Sequence, residues 1–145
     1  MTTGIILECK SCGAKNRVSA KNLADEGRCG RCKATLPPIA QPIDVDPATF
    51  DHVVNESKVP VLVDFWAAWC GPCRAAAPHV KAVAAEMAGK AVVLKVDTEQ
   101  HPELANRYGV RGIPNFMVMK DGRIVSQQVG LVGVPEMRRW LERAA

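Results

Sequence analysis

Six cysteines in this 145-residue chain fall into three pairs of one spacing, Cys-x-x-Cys: Cys9 with Cys12, Cys29 with Cys32, and Cys70 with Cys73. A pair so spaced can do two kinds of chemistry. It can bend both sulfurs onto one metal ion, or it can open and close a disulfide. The second and third pairs even share their surroundings, "CGRCKA" against "CGPCRA". Spacing alone does not assign them, so their neighbours must.

Sixteen residues separate the first two pairs, the interval of a two-knuckle, four-cysteine zinc site. Four thiolates must converge tetrahedrally at about 2.3 Å from one ion, and each Cys-x-x-Cys supplies two. Gly13 and Gly30 are expected to permit the tight turns that bring backbone amides to the sulfurs. Such a site leaves excess negative charge, which Lys10, Lys15, Arg28, Arg31 and Lys33 are placed to offset. The reading is one zinc ion on Cys9, Cys12, Cys29 and Cys32. Metal binding of this kind supplies about 10–16 kcal/mol, enough to fold a segment too small for its own core. Iron in the same cage and disulfides among these cysteines are the alternatives.

The third pair has other company. "WCGPC" follows an apolar run and opens a helical pattern, and no second pair follows it. His52, His79 and His101 are scattered singly and read as surface residues, not ligands. Cys70 is expected at the positive end of a helix, beside unpaired amides that stabilise a thiolate. Lowering a thiol pKa by about 1.5 units takes about 2 kcal/mol, within reach of the dipole and one amide hydrogen bond. Cys73 falls one turn on, close enough to close a disulfide and expected to be the less exposed of the two.

The elements that must position these residues can be read from apolar period and turn chemistry. Residues 1–36 form the expected metal module, and 37–43, with Pro37, Pro38 and Pro42, a linker running into a first strand. Residues 44–145 form the second domain. Asp46-Pro47 reads as the cap and first residue of a helix to about Glu56. "VPVLVDFW" (Val59–Trp66) and "AVVLKVD" (Ala91–Asp97) read as strands buried on both faces. Between them Cys73, Ala76, Val80, Val83 and Met87 make one helical stripe, interrupted by Pro78, which is expected to kink it. A short helix stops at Gly109. "NFMVMKDGRIVSQQVG" is a hairpin turning on Asp121-Gly122, and a last helix from Pro135 turns Met137, Trp140 and Leu141 inward. This is an α/β layered fold with a mixed sheet.

Hydrophobic residues make up 48% of the chain, enough for a core. Net charge is +4, all of it arising in residues 1–40. The excess sits beside the metal site and lacks clustered aromatics, which argues against nucleic-acid binding. No run reaches membrane-spanning length, and the start carries no export-signal pattern. A cytoplasmic, monomeric protein with reduced thiols is expected.

"VDFWAAWCGPCRAAAP" and "YGVRGIPNF" together resemble the two signatures of the thioredoxin family, over about Asp46 to the end. With the four-cysteine module in front, the chain resembles the zinc-containing second-thioredoxin branch of bacteria. The resemblance implies the thioredoxin fold, a central sheet flanked by helices. It implies reduction of disulfide-containing protein substrates, and recharging by thioredoxin reductase at the expense of NADPH, with no organic cofactor bound. Cys70 would attack and Cys73 resolve. Asp64, alone in an apolar strand where burial raises a carboxyl pKa, would take the Cys73 proton. Lys95 either faces and tunes Asp64 or reaches outward to solvent. Ile113-Pro114 matches the family's cis-proline loop, and Trp69, Gly71, Pro72, Ile113 and Gly130 would form the docking surface. Trp66 flanks the site or serves the core. Asn115 departs from the family's usual threonine, and Ala75–Ala77 from its bulkier residues.

Three function classes compete: a reductant, an oxidant of exported proteins, and a zinc-ribbon adaptor. Thioredoxins in general sit near −270 mV and the strong periplasmic oxidant near −120 mV, a gap of about 7 kcal/mol. The Gly-Pro dipeptide between the cysteines favours the reductant. A zinc centre that peroxide can empty is a further expectation.

Overall fold

The computed structural model describes residues 4–145; residues 1–3, at the start of the expected metal module, lie outside the described residues. The N-terminal part is two small antiparallel ribbons. β1 (Gly4–Glu8) pairs with β2 (Lys15–Ser19), and β3 (Gly27–Arg28) with β4 (Thr35–Leu36). Each ribbon turns on a cysteine pair, and the two turns are built alike. The Gly13 amide donates to the Cys9 carbonyl at 2.8 Å, and the Lys33 amide to the Cys29 carbonyl at 3.0 Å. Both turns end left-handed, Gly13 at φ 76° and Lys33 at φ 66°. The expectation that Gly30 supplies the second turn's freedom is thus corrected. Lys33 carries the left-handed backbone, against the steric cost of its Cβ.

A five-stranded sheet follows, in the order β5 (Ile43–Asp44), β7 (Val92–Asp97), β6 (Val61–Trp66), β8 (Asn115–Lys120), β9 (Arg123–Val129). β5 and β6 run parallel to β7, β8 runs antiparallel to β6, and β9 turns back antiparallel to β8. Long crossovers carry α1 (Pro47–Glu56), α2 (Gly71–Glu86) and α3 (Pro102–Arg107), while Asp121 and Gly122, at φ 54° and 76°, close the expected hairpin. α4 (Val134–Ala144) ends the chain. Asp46 caps α1 as expected, its carboxylate accepting from the Thr49 amide at 2.8 Å.

The sheet's two faces make two cores. On one face Leu62, Val93, Phe116 and Val118 meet Ala76, Val80 and Val83 of α2 and Met137 and Leu141 of α4. Trp140 is only partly buried, against Phe116. On the other face Val63, Phe65, Leu94 and Met117 meet Phe50 and Val53 of α1. Into this second core the chain before the sheet inserts Ala20, Leu23 and Ile39, all buried, with Ile5, Leu7 and Val18 packed alongside. The Ile39 amide donates to the Leu23 carbonyl at 2.9 Å, sealing that contact. The segment between the cysteine pairs is therefore part of the larger core. Among the described residues no helix is long and apolar enough to cross a membrane.

Candidate active site and metal centre

Cys70 is the N-cap of α2, with Pro72 in the first turn. It is extended there because β6 has just ended and the chain must turn back over the sheet. Its sulfur accepts from the Cys73 amide at 3.2 Å, an orphan donor of the helix start. Cys70 and Cys73 are joined as a disulfide, their Cα atoms 5.2 Å apart. Both residues are 4% exposed, so the expected difference in accessibility is absent in this state. Ala67, Trp66 and Ile113 pack around the joined pair. The Ile113–Pro114 peptide is cis, and the Ile113 carbonyl oxygen lies 3.7 Å from Cys70 Sγ. Gly130, at φ 107°, donates its amide to the Pro114 carbonyl at 2.8 Å. The three segments around residues 70, 113 and 130 therefore meet at one surface.

That surface is apolar where it faces solvent. Trp69 is 64% exposed, and Gly71 and Pro72 are exposed. Trp69 is held by its Nε1–H donating to Glu99 at 2.5 Å, and Arg74 fixes the preceding loop by donating to the Ala68 carbonyl at 2.8 Å. Val129 and Leu131, on either side of Gly130, are also exposed. Sequence reasoning missed Glu99, Val129 and Leu131. The two apolar residues left a signal, because solvent-facing loop ends are seldom so apolar. Glu99 left none, being one acid among several in a polar turn.

Within β6, Asp64 is 2% exposed and its Oδ1 has no hydrogen-bond partner. Burial pushes its carboxyl up to about 7, against the pull of Lys95 and with a smaller push from Asp44. Lys95 is opposite Asp64 in the β6–β7 register. Its ammonium nevertheless lies over the Trp66 ring, 4.4 Å from the centroid. Lys95 thus neighbours Asp64 in register while its ammonium leans on an aromatic face. Trp66 is half-buried, and its Nε1–H is unpartnered.

The other four cysteines meet at the tips of the two ribbons. The sulfurs of Cys9, Cys12, Cys29 and Cys32 all lie within 4.8 Å of one another, with Cys9–Cys32 and Cys12–Cys29 at 3.6 Å. A tetrahedron with zinc–sulfur bonds of about 2.3 Å has edges of about 3.8 Å. The four thiols therefore fit that ion. Without a metal, the four sulfurs differ in how well the fold stabilises their thiolates. Cys29 is held down to about 5 by the Cys32 amide, the Asn16 side chain and the Arg31 amide. Cys12 is pushed up to about 12, because burial and the crowding of Cys32, Cys29 and Cys9 outweigh the Ala14 amide that favours its thiolate. A divalent cation relieves that crowding. Asn16, which sequence reasoning missed, ties the knuckles together: it donates to Cys29 Sγ at 3.5 Å and accepts from the Gly30 amide at 2.9 Å.

The profile of the thioredoxin family matches residues 41–143, and that of the N-terminal module of thioredoxin 2 matches residues 8–34. The chain belongs to the thioredoxin family. Thioredoxin C-3 of Corynebacterium nephridii is 39% identical over 139 residues, covering 96% of this chain and 94% of its own. That alignment takes in both the metal module and the thioredoxin domain. Thioredoxin 1 of a Nostoc species is 46% identical over 99 residues, 68% of this chain and 92% of its own. Among solved structures a mutant thioredoxin of Halobacterium salinarum superposes with a TM-score of 0.69 at 34% identity, covering 77% of this chain and 96% of that one. The thioredoxin fold and a zinc-ribbon module are thus both present, with a redox dithiol where the family keeps its own.

Proposed function

We propose that this thioredoxin reduces protein disulfides in the cytoplasm and is returned to its dithiol form by an NADPH-dependent thioredoxin reductase. One observation carries the reading: the Cys70 sulfur sits on a helix-start amide at 3.2 Å, beneath an apolar surface that includes exposed Trp69. In the reduced protein Cys70 is the thiolate. It attacks one sulfur of a substrate disulfide, that S–S bond breaks, and the other substrate sulfur leaves as a thiol after taking a proton. Cys73 then gives its proton to the Asp64 carboxylate and attacks Cys70, closing the Cys70–Cys73 bond and releasing the second substrate thiol. Two electrons have passed to the substrate. NADPH returns them through the reductase.

Gly71, Pro72, Ile113, Pro114 and Gly130 supply a flat face on which an extended peptide lies, and Trp69 covers one side. Lys95 moderates the proton affinity of Asp64. The zinc ion on Cys9, Cys12, Cys29 and Cys32 holds the two ribbons together. Its redox sensitivity is supported by the exposure of Cys32. Loss of stoichiometric zinc under peroxide is the expected result, and full retention overturns that part.

The decisive experiment is insulin reduction coupled to NADPH oxidation. Cys70→Ser is expected to abolish turnover. Cys73→Ser is expected to accumulate a mixed disulfide through Cys70, visible by mass spectrometry. Turnover by Cys70→Ser at the parent rate overturns the reading.

A further inference from the structure

A charged row crosses the sheet beside the dithiol. The β6–β7 register sets Asp64 opposite Lys95, and the β5–β7 register sets Asp44 opposite the same Lys95. Directly opposed residues share a face, so the order across three neighbouring strands is carboxyl, ammonium, carboxyl, about 4.8 Å per step. Accessibility rises along the row: Asp64 is buried, Lys95 half-buried, Asp44 exposed. At the outer end a cavity of about 570 Å³ opens, walled by Asp44, Asp46, Lys95, Asp97 and His101, with Trp66 and, from β1, Ile5.

Lys95 is the single cation in this row and is committed to neither acid. Its ammonium lies over the Trp66 ring, while the Asp64 Oδ1 is unpartnered. The groups facing Asp64 are few. β7 sets Lys95 opposite it on one side, β8 sets Phe116 opposite it on the other, and Asp44 acts from the next strand outward. The position of one ammonium therefore governs how strongly Asp64 holds a proton.

We propose that Asp44 is a positioning residue for the dithiol chemistry: it draws the Lys95 ammonium outward toward the cavity and so keeps Asp64 able to accept the Cys73 proton. Without the Asp44 charge, Lys95 turns inward to the remaining carboxylate, and Asp64 becomes a weaker base. The proposal rests on the reading of Asp64 as that acceptor.

The test is a cycle of Asp44→Asn, Lys95→Met and the double variant in the full-length zinc-loaded protein. Two readouts are taken: the Asp64 carboxyl titration by carbon NMR in the oxidised form, and the pH profile of the single-turnover resolving step. Asp44→Asn is expected to lower the Asp64 midpoint by about 0.5–1 unit, and by less than half as much when Lys95 is Met. The acid limb of the resolving rate should move to lower pH by the same amount, with a lower plateau. An unmoved midpoint, or an equal shift with and without Lys95, overturns the role of Asp44. A midpoint that moves beneath an unmoved rate profile overturns instead the assignment of Asp64 as proton acceptor, and the catalytic half of the proposal with it.

Discussion

A single carboxyl carries the tension between chemistry and stability. Asp64 is almost wholly buried, and burial lifts its pKa from the ordinary carboxylate range to about 7. The unfolded chain gives up that proton near pH 4, so the folded state is penalised as pH rises. The penalty is absent below about pH 4, grows through the interval, and is complete above about pH 7. Asp64→Asn in the oxidised protein should therefore be more stable than the parent at pH 8.5, by about 2–4 kcal/mol. At pH 5.5 the gain should fall to about half. Denaturant unfolding at the two pH values checks both the size and the trend, and the same variant should resolve mixed disulfides more slowly. The burial of Asp64 was legible in the sequence, since a lone acid inside "VLVDFW" falls on a strand otherwise apolar throughout. Asp44 was not, since it lies in a two-residue strand just after the prolines. Only the register shows that it shares Lys95 with Asp64.

Elements repeat a solution with different residues. The two metal-binding turns close through the same hydrogen bonds, yet one places glycine at the left-handed position and the other Lys33. A side chain there costs about 1 kcal/mol or more. Lys33→Gly should relieve part of this, stabilising the metal-bound ribbon by about 0.5–1 kcal/mol after allowing for the greater freedom of unfolded glycine. Chelator competition should then show zinc held about 2–5-fold more tightly. The twin motifs "CGRC" and "CGPC" show how far local sequence reaches. Four residues did not distinguish a sulfur cage from a redox pair. The strand before the later pair and the helix after it did, and both formed as their apolar periods indicated. The turn geometry was less legible: Gly30 was expected to permit the second tight turn, but the left-handed backbone falls three positions on, at Lys33.

At the scale of the molecule the metal module and the redox domain share one interior. Ala20, Leu23 and Ile39 belong to the cluster built on Phe50, Val53 and Val54, and truncating such a leucine in a core costs about 2–5 kcal/mol. Removing zinc should therefore lower the melting temperature of the whole protein. The zinc-loaded form should melt in one transition, monitored together by the tryptophan signal and by calorimetry. Two transitions, the upper one indifferent to chelator, would refute shared cooperativity. None of this was visible in the sequence, where residues 13–28 read only as spacing between ligands. Their apolar side chains are too few to signal a core, and they find one only because another chain segment supplies it. A ribbon fused to a thioredoxin without this pocket would bring its sulfur cage intact yet leave Leu23 and Ile39 without a berth, so the two parts have to match side chain for side chain.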